Sequence, residues 1–552
     1  MRRWLAACLA GALGVSGLKG LAGLAGLACL AGCPQEGTSG AADDGGATGS
    51  GDGGAAGTSD GGGAVTAQEL CARPVQLADT SRPTTVIGDG TPASCTEAAL
   101  TAALAQGGVI TFRCGAAPLT LRVTSERMIG KDTVLDGGGT ITLSGGGQNR
   151  ILKVASTFDQ VTPRVTLQNL RLIDGRVSGT KPAGDTTLGG AAVYRMGGSL
   201  TVINSRFENN RGADSGQDQA GGAIFSLGVG ETIIVGSVFT GNSCSNGGAI
   251  GNLGNPFTLV NSTLENNRAT GSGGNPGDGG NGGGVTVDGQ GKSVSLCGAV
   301  LRGNQARAFG GGFFRVAYQR EITAIDRSII DGNTIPAAAQ SMAGGLYLQN
   351  TTANVTATSI VRNSANSAGG LYVGPSAILN LTNSTVAENT AKDSLGGGMA
   401  VDSSVTGRIW NCTFAGNQAS DTDSFGGAIA GGGSGLILEN TLIAYSVAGN
   451  GYNPISCTRA LGAAGTNVQW PIARAGGGSD SPSALCAAGI LTEDPRVLPL
   501  GVINVGSVPV SRVHEGSAAC RRGSNCPAKD QLGQPRSSPC TLGAVEGCVV
   551  IE

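Results

Sequence analysis

The sequence predicts an all-β chain wound into a parallel β-helix. Three observations carry that prediction: a repeated glycine doublet, an asparagine at a nearly fixed distance after it, and short β-branched runs between the two. The doublets begin at Gly189, Gly221, Gly247, Gly282, Gly310, Gly344, Gly369, Gly396 and Gly426, and each is followed by one residue and then an apolar one. Eight of them are closed 19 to 23 residues later by Asn210, Asn242, Asn267, Asn304, Asn333, Asn363, Asn389 and Asn417. A period of 25 to 35 residues marks a stack of similar units and excludes a globule with one central core.

The gap from each Asn to the next doublet varies from 5 to 15 residues, so insertions are confined to one corner of every coil. Runs such as Leu200–Phe207, Phe257–Leu264 and Ile378–Val386 are short and β-branched, and no unit shows a helical period. Each strand should pair with its counterpart one coil on, at about 4.8 Å. The closing Asn residues should then stack as a ladder, each in a left-handed bend. A second, partial ladder is expected at Asn204, Asn261, Asn383 and Asn411. The fourth slot of the units, with Tyr347 and Tyr372 among Ala192, Ile224, Ile250, Val285, Phe313, Met399 and Ile429, reads as an interior stack. The alternative for the two tyrosines is a sugar platform.

The N-terminus carries Arg2 and Arg3, an apolar run, and Leu30-Ala31-Gly32-Cys33, the plan of a secretory signal over residues 1–32. That tetrapeptide resembles the bacterial lipobox. The resemblance implies that Cys33 becomes the lipidated first residue of the mature protein, with Pro34 favouring the outer membrane or cell surface. Residues 33–66 are Gly, Ala, Ser, Thr and Asp, too polar to bury a core, and should form a flexible tether. The rest divides into an N-terminal cap and first coils (67–188), repeated coils (189–455) and a Cys-rich end (456–552). Twelve of the 15 Cys would remain after Cys33, an even number that suits disulfides in an exported chain. Cys95 and Cys114 bracket a short helix with a Ser94/Glu97 capping pattern and Gly107-Gly108 as its stop, which should close the open end of the solenoid by a disulfide. Cys457, Cys486, Cys520, Cys526, Cys540 and Cys548 should staple a second cap.

Gly221–Ile224 and Gly247–Ile250, with Phe207–Asn210, Phe239–Asn242 and Phe414–Asn417, resemble the repeats of chlamydial polymorphic outer-membrane proteins. Thr133–Gly139, Asp530–Arg536 and Leu542–Glu546 resemble the bacterial choice-of-anchor Q proteins of the pectin-lyase-like group. These resemblances imply a right-handed parallel β-helix on a bacterial surface, and they carry no catalytic residues over.

One His, His514, leaves no room for a His-based triad elsewhere in the chain. Glu265, Arg302 and Asp331 occupy one slot in three successive coils, which places the two acids near the roughly 6.5–9.5 Å separation of an inverting glycosidase pair. The favoured reading is an alternating-charge ladder, because Arg302 stands between them. Asp214, Asp218, Asp278, Asp393, Asp421 and Asp423 read as solvated loop charges, with weak calcium binding as the alternative; no cofactor is expected. The six Asn-x-Ser/Thr triplets read as strand and bend residues. A net charge of −2 gives no reason to expect nucleic acid. The sequence thus predicts a non-enzymatic, lipid-anchored surface scaffold for a protein or polysaccharide partner. A polysaccharide lyase or glycoside hydrolase is the alternative.

Overall fold

The computed structural model describes residues 70–550 except 183, 275, 290–291, 337–340, 451–454, 473–484 and 503–507. The signal, Cys33 and the tether lie outside the described residues. Residues 67–552 form one compact unit, a right-handed parallel β-helix of about 13 turns. Three long sheets run along it. Sheet A holds 14 strands, from Thr85–Ile87 to Gly462–Ala464. Sheet B holds 13, from Leu119–Arg122 to Val468–Trp470. Sheet C holds 11, from Arg127–Ile129 to Ile429–Gly431. The register is continuous: Leu200 lies beside Thr232, Thr232 beside Phe257, and Phe257 beside Val294. Alternate residues point inward, so like side chains pile up; the Phe207 and Phe239 rings stack with centroids 4.6 Å apart.

The Asn ladder forms at the bend after sheet B. Each buried amide donates to the next coil's Asn Oδ1 and to a backbone carbonyl, as Asn333 does to Asn363 and Leu301 at 2.9 Å. The same Oδ1 also accepts the preceding coil's backbone N–H. The left-handed residue is not the ladder Asn but the one before it: Asn209, Asn266, Arg362 and Glu388 have φ of 55°, 56°, 55° and 56°. This corrects the expectation, and the reason is geometric. The side chain that bonds along the axis must point inward, while the left-handed residue turns its own outward. A hydroxyl ladder, unforeseen in the sequence, runs along the bend between sheets A and B. Ser237 Oγ accepts from Ser205 N, Ser262 Oγ from Ser237 N and Ser384 Oγ from Thr358 N.

The core column on sheet C also departs from expectation. Phe313 pairs with Leu346, Leu346 with Leu371 and Leu371 with Met399, and Val193, not Ala192, begins the stack against Ile224. Gly221, at φ 70°, leaves only 1.9 Å between a Cβ and the Ile224 carbonyl. Ala343 and Ala368 take that left-handed place at φ 67° and 54°, so the visible doublets at Gly344 and Gly369 start one residue late. Tyr347 and Tyr372 therefore face outward. They stack with Phe314 at 5.0 and 4.9 Å between successive centroids, beneath the insertion loops and only 9% and 8% exposed. They are neither interior residues nor an open platform.

Both ends of the described chain, 70–80 and 508–549, fold back on the flank. Residues 70–80 run from the coil of Arg327 back to the coil of Asp136 along the bend between sheets A and B. Arg327 donates to the Leu70 carbonyl, Cys71 is bonded to Cys297, and Gln168 makes two hydrogen bonds with Ala78. The second Asn column serves this segment instead of forming a ladder. Asn261 accepts from Cys71 N and donates to Cys71 O, and Asn204 accepts from Arg73. The helix Glu97–Gln106 then buries Leu100, Ala103 and Leu104 over the first coil, with Cys95 joined to Cys114. Its N-cap is Thr96, which accepts from Ala99 N. Ser94 instead closes a preceding turn, because Pro92–Ser94 form a 3₁₀ turn that moves the helix start.

At the other end Cys457–Cys486 closes the core, while Cys520–Cys548 and Cys526–Cys540 staple a segment that returns over sheet B. That segment does more than cap an end: Val508, Val510, Ala544 and Val545 cover Ile329, and Leu542 packs with Ala387, Ala415 and Ala444. Asn383 donates to Lys529 O and accepts from Arg536, and Asn411 and Asn440 also hold this segment. Arg536 is the latch. Its guanidinium donates to Thr541, Gly543 and Ala544 carbonyls and to Glu546. Among the described residues the free cysteines are Cys244 and Cys412, both buried.

Candidate functional site

The outer face of sheet B carries the charged slot found in the sequence, and the register places its members side by side. Thr240 pairs with Glu265, Glu265 with Arg302, Arg302 with Asp331 and Asp331 with Val361. Glu265 and Asp331 are thus two strands apart, about 9.6 Å along the axis. Asp331 is 7% exposed and divided between two guanidiniums. Arg302 Nε lies 3.3 Å from Oδ2, and Arg362 forks onto both oxygens at 2.9 and 2.8 Å. Both oxygens are engaged, so neither is free to attack a sugar carbon or hand over a proton. Hydrogen bonding to Asp331 raises the Arg362 pKa above its ordinary value. Glu265 makes no ion pair among the described residues, and its strand partners are Thr240 and Arg302.

The same arrangement recurs nearer the N-terminus. Glu208 lies in the slot of Glu265, two residues before its ladder Asn, a signal that the sequence offered and that the three-coil window passed over. Arg171 and Arg206 are direct strand partners, and both bond the Glu208 carboxylate. Burial pushes the Glu208 carboxyl up, but the Arg171 and Arg206 bonds outweigh it and hold it below the usual carboxylate range. Two Arg–acid–Arg groups therefore stand on one column, four coils or about 19 Å apart.

Around them the flank is rich in arginine. Arg122, Arg171, Arg176, Arg206, Arg211, Arg268, Arg302 and Arg362 lie on sheet B or its closing bend, with no lysine among them. They face Asp174, Glu208, Asp214, Glu265, Asp331 and, beside Arg362, Glu388, a surplus of two positive charges in a chain of net charge −2. Asp214 is forked by Arg211 at 2.9 and 2.8 Å, whereas Arg176 and Arg268 form no ion pair among the described residues. Among the described residues the returning C-terminal segment packs on this sheet only from about Val300 onward.

The remaining sequence candidates do not converge on this flank. Asp218 accepts from Gly184 N, and Asp421 from Asp423 N within its own loop. Among the described residues the one group of three possible metal ligands is Cys71, Cys297 and Asp326, whose cysteines are already bonded to each other. His514 sits in the C-terminal segment with Nδ1 2.7 Å from the Glu515 carbonyl. Asn261, Asn350, Asn383 and Asn411 occupy left-handed bends, whereas Asn354 and Asn380 pair on the outer face of sheet A.

No protein-family model matches the sequence, and no curated protein matches it. Similar solved structures include the periplasmic alginate epimerase AlgG, at 12% identity over 63% of this chain and 76% of that one, with a TM-score of 0.32. The Azotobacter vinelandii mannuronan C-5 epimerase AlgE6 A-module is similar at 14% identity over 68% of this chain and 97% of that one, also with a TM-score of 0.32. At such identity and score the likeness bears on neither chemistry nor ligand.

Proposed function

We propose that this chain is a non-enzymatic scaffold, lipid-anchored through Cys33 on a bacterial outer membrane or cell surface, whose sheet B flank binds an acidic polysaccharide. The observation that carries the reading is the pair of Arg–acid–Arg groups. Each fixes two guanidiniums on a strand or its closing bend, consumes the acid between them, and retains one net positive charge. Arginine forks match carboxylate and sulfate groups, and a register of about 4.8 Å per coil offers them to a linear polymer. The resemblance to choice-of-anchor Q proteins and to polymorphic outer-membrane repeats agrees with a surface role. The expected lipid attachment and signal rest on the sequence alone.

Binding of the purified protein to polyuronates, sulfated and neutral polysaccharides tests the reading. Retention on acidic polymers that weakens with salt and in Arg171→Ala/Arg206→Ala is expected. Turnover of any polysaccharide that both Glu265→Gln and Asp331→Asn abolish would replace it with the lyase or hydrolase alternative.

A further inference from the structure

The segment 70–80 is an unusual way to begin a solenoid. The described chain begins not at the N-terminal cap but at Leu70, held by Arg327 beside the ninth of the fourteen strands of sheet A, and it runs back past Cys297 on the eighth to Asp136 on the third, seven coils in all. Six coil steps span about 29 Å and ten extended residues about 33 Å, so the segment lies nearly straight. Along this path it is held by side-chain clamps from Asn261, Asn204, Gln168 and Asp136, each a hydrogen bond or two. One covalent tie stands at its outer end, Cys71–Cys297, enclosing 226 residues. Cys71 is 5% exposed and packs with Val235 and Val260.

We infer that the Cys71–Cys297 disulfide is a load-bearing bypass: tension arriving from the N-terminal tether enters the solenoid at the coil of Cys297 and never reaches the cap. The physical argument is one of connectivity. Force passes from Leu70 to Cys71, across the disulfide to Cys297, and on toward the C-terminus. Residues 72–296, with the cap helix, Cys95–Cys114 and the early coils, lie off that path. Without the bond the same pull would open the clamps one after another, because peeling loads a single weak contact at a time. The cap would follow, and then the coils, each of which is held only by its neighbours. The Arg171–Glu208–Arg206 group sits inside the enclosed loop, so the bypass would preserve the proposed binding face on a tethered molecule under shear. To that extent the inference rests on the proposed surface role.

Force spectroscopy on the full chain, held by handles at its two termini, tests it. Oxidised wild type should withhold the stretch between Cys71 and Cys297, so Cys71→Ser/Cys297→Ser, in which Cys95–Cys114 still closes 19 of those 226 residues, should release about 70 nm more contour length at roughly 3.5 Å per residue. The variant should also show low-force steps of roughly 10 nm, one per coil, before the main unfolding event. Should the variant fold poorly, wild type treated with dithiothreitol replaces it: opening all five disulfides should release about 100 nm more than the oxidised protein, most of it from the Cys71–Cys297 stretch. Equal total lengths would overturn the inference. Loss of polysaccharide binding alongside an intact length difference would remove the proposed function and leave the bypass standing.

Discussion

Replacing Asn333 by Ala should destabilise the middle of the solenoid more than any surface substitution on it. Asn333 is fully buried, and its side chain makes four hydrogen bonds: Nδ2 donates to Leu301 O and Asn363 Oδ1, and Oδ1 accepts from Asn304 N and Asn304 Nδ2. The substitution leaves two groups unpaired, the Asn304 backbone N–H and one Asn304 amide hydrogen, and takes from the Leu301 carbonyl its side-chain donor. At about 1–3 kcal/mol for each unsatisfied buried group, the expected loss is roughly 2–6 kcal/mol. Asn380→Ala is the control, because its amide bond to Asn354 Oδ1 lies on the outer face of sheet A. It should cost less than about 1 kcal/mol. Asn333→Asp adds a pH test: its second oxygen would face two acceptors, so the variant should be weaker at pH 7 than at pH 4, where a proton restores one donor. Denaturant titration gives the global loss, and hydrogen exchange at the Asn304 amide locates it, since a long solenoid need not unfold in one step. An Asn333→Ala loss no larger than that of Asn380→Ala would refute the ladder as a source of stability.

Other outcomes follow from the same geometry. Burial pushes the Cys244 and Cys412 thiols up to about 12, so neither should react with an alkylating reagent at pH 8 until the protein unfolds. Glu208 has a folded pKa below its unfolded value of about 4.3, so its contribution is full above that value and is lost as pH falls through the folded one. Glu208→Gln should flatten that part of the acid-unfolding curve. Arg536→Met removes the fork that gathers Asn383, Thr541, Gly543, Ala544 and Glu546. Limited proteolysis should then cut within 508–549 while the coils survive.

The parts of this molecule legible in the sequence are those set by local geometry repeated at a fixed period. The Gly doublets and closing Asn residues mark bends that every coil must make, and the Asn304–Asn333–Asn363 ladder follows once those bends are stacked. The slot holding Glu265, Arg302 and Asp331 was placed correctly for the same reason. The misreading of Tyr347 and Tyr372 shows the limit of pattern matching. Ala343 and Ala368 fill a left-handed position that glycine usually marks, and a one-residue slip turns a strand's side chains from one face to the other. Arg362 was passed over because it belongs to the next bend, and only the fold brings it onto Asp331. The docking of the terminal segments along the flank had no local signal. Nothing near Cys71 points to Cys297, or near Lys529 to Asn383, since those contacts close loops of 226 and 146 residues.

Spin-label distances along one outward column of sheet A test in-register stacking most directly. Thr166, Ser295, Asn354 and Arg408 occupy that column, with Ser295, Asn354 and Arg408 four, six and eight coils from Thr166. Labels at Thr166 paired in turn with the other three should lie about 19, 29 and 38 Å apart, a straight line of about 4.8 Å per coil. Distances that stop growing with coil number, or that scatter between pairs, would contradict a single continuous axis.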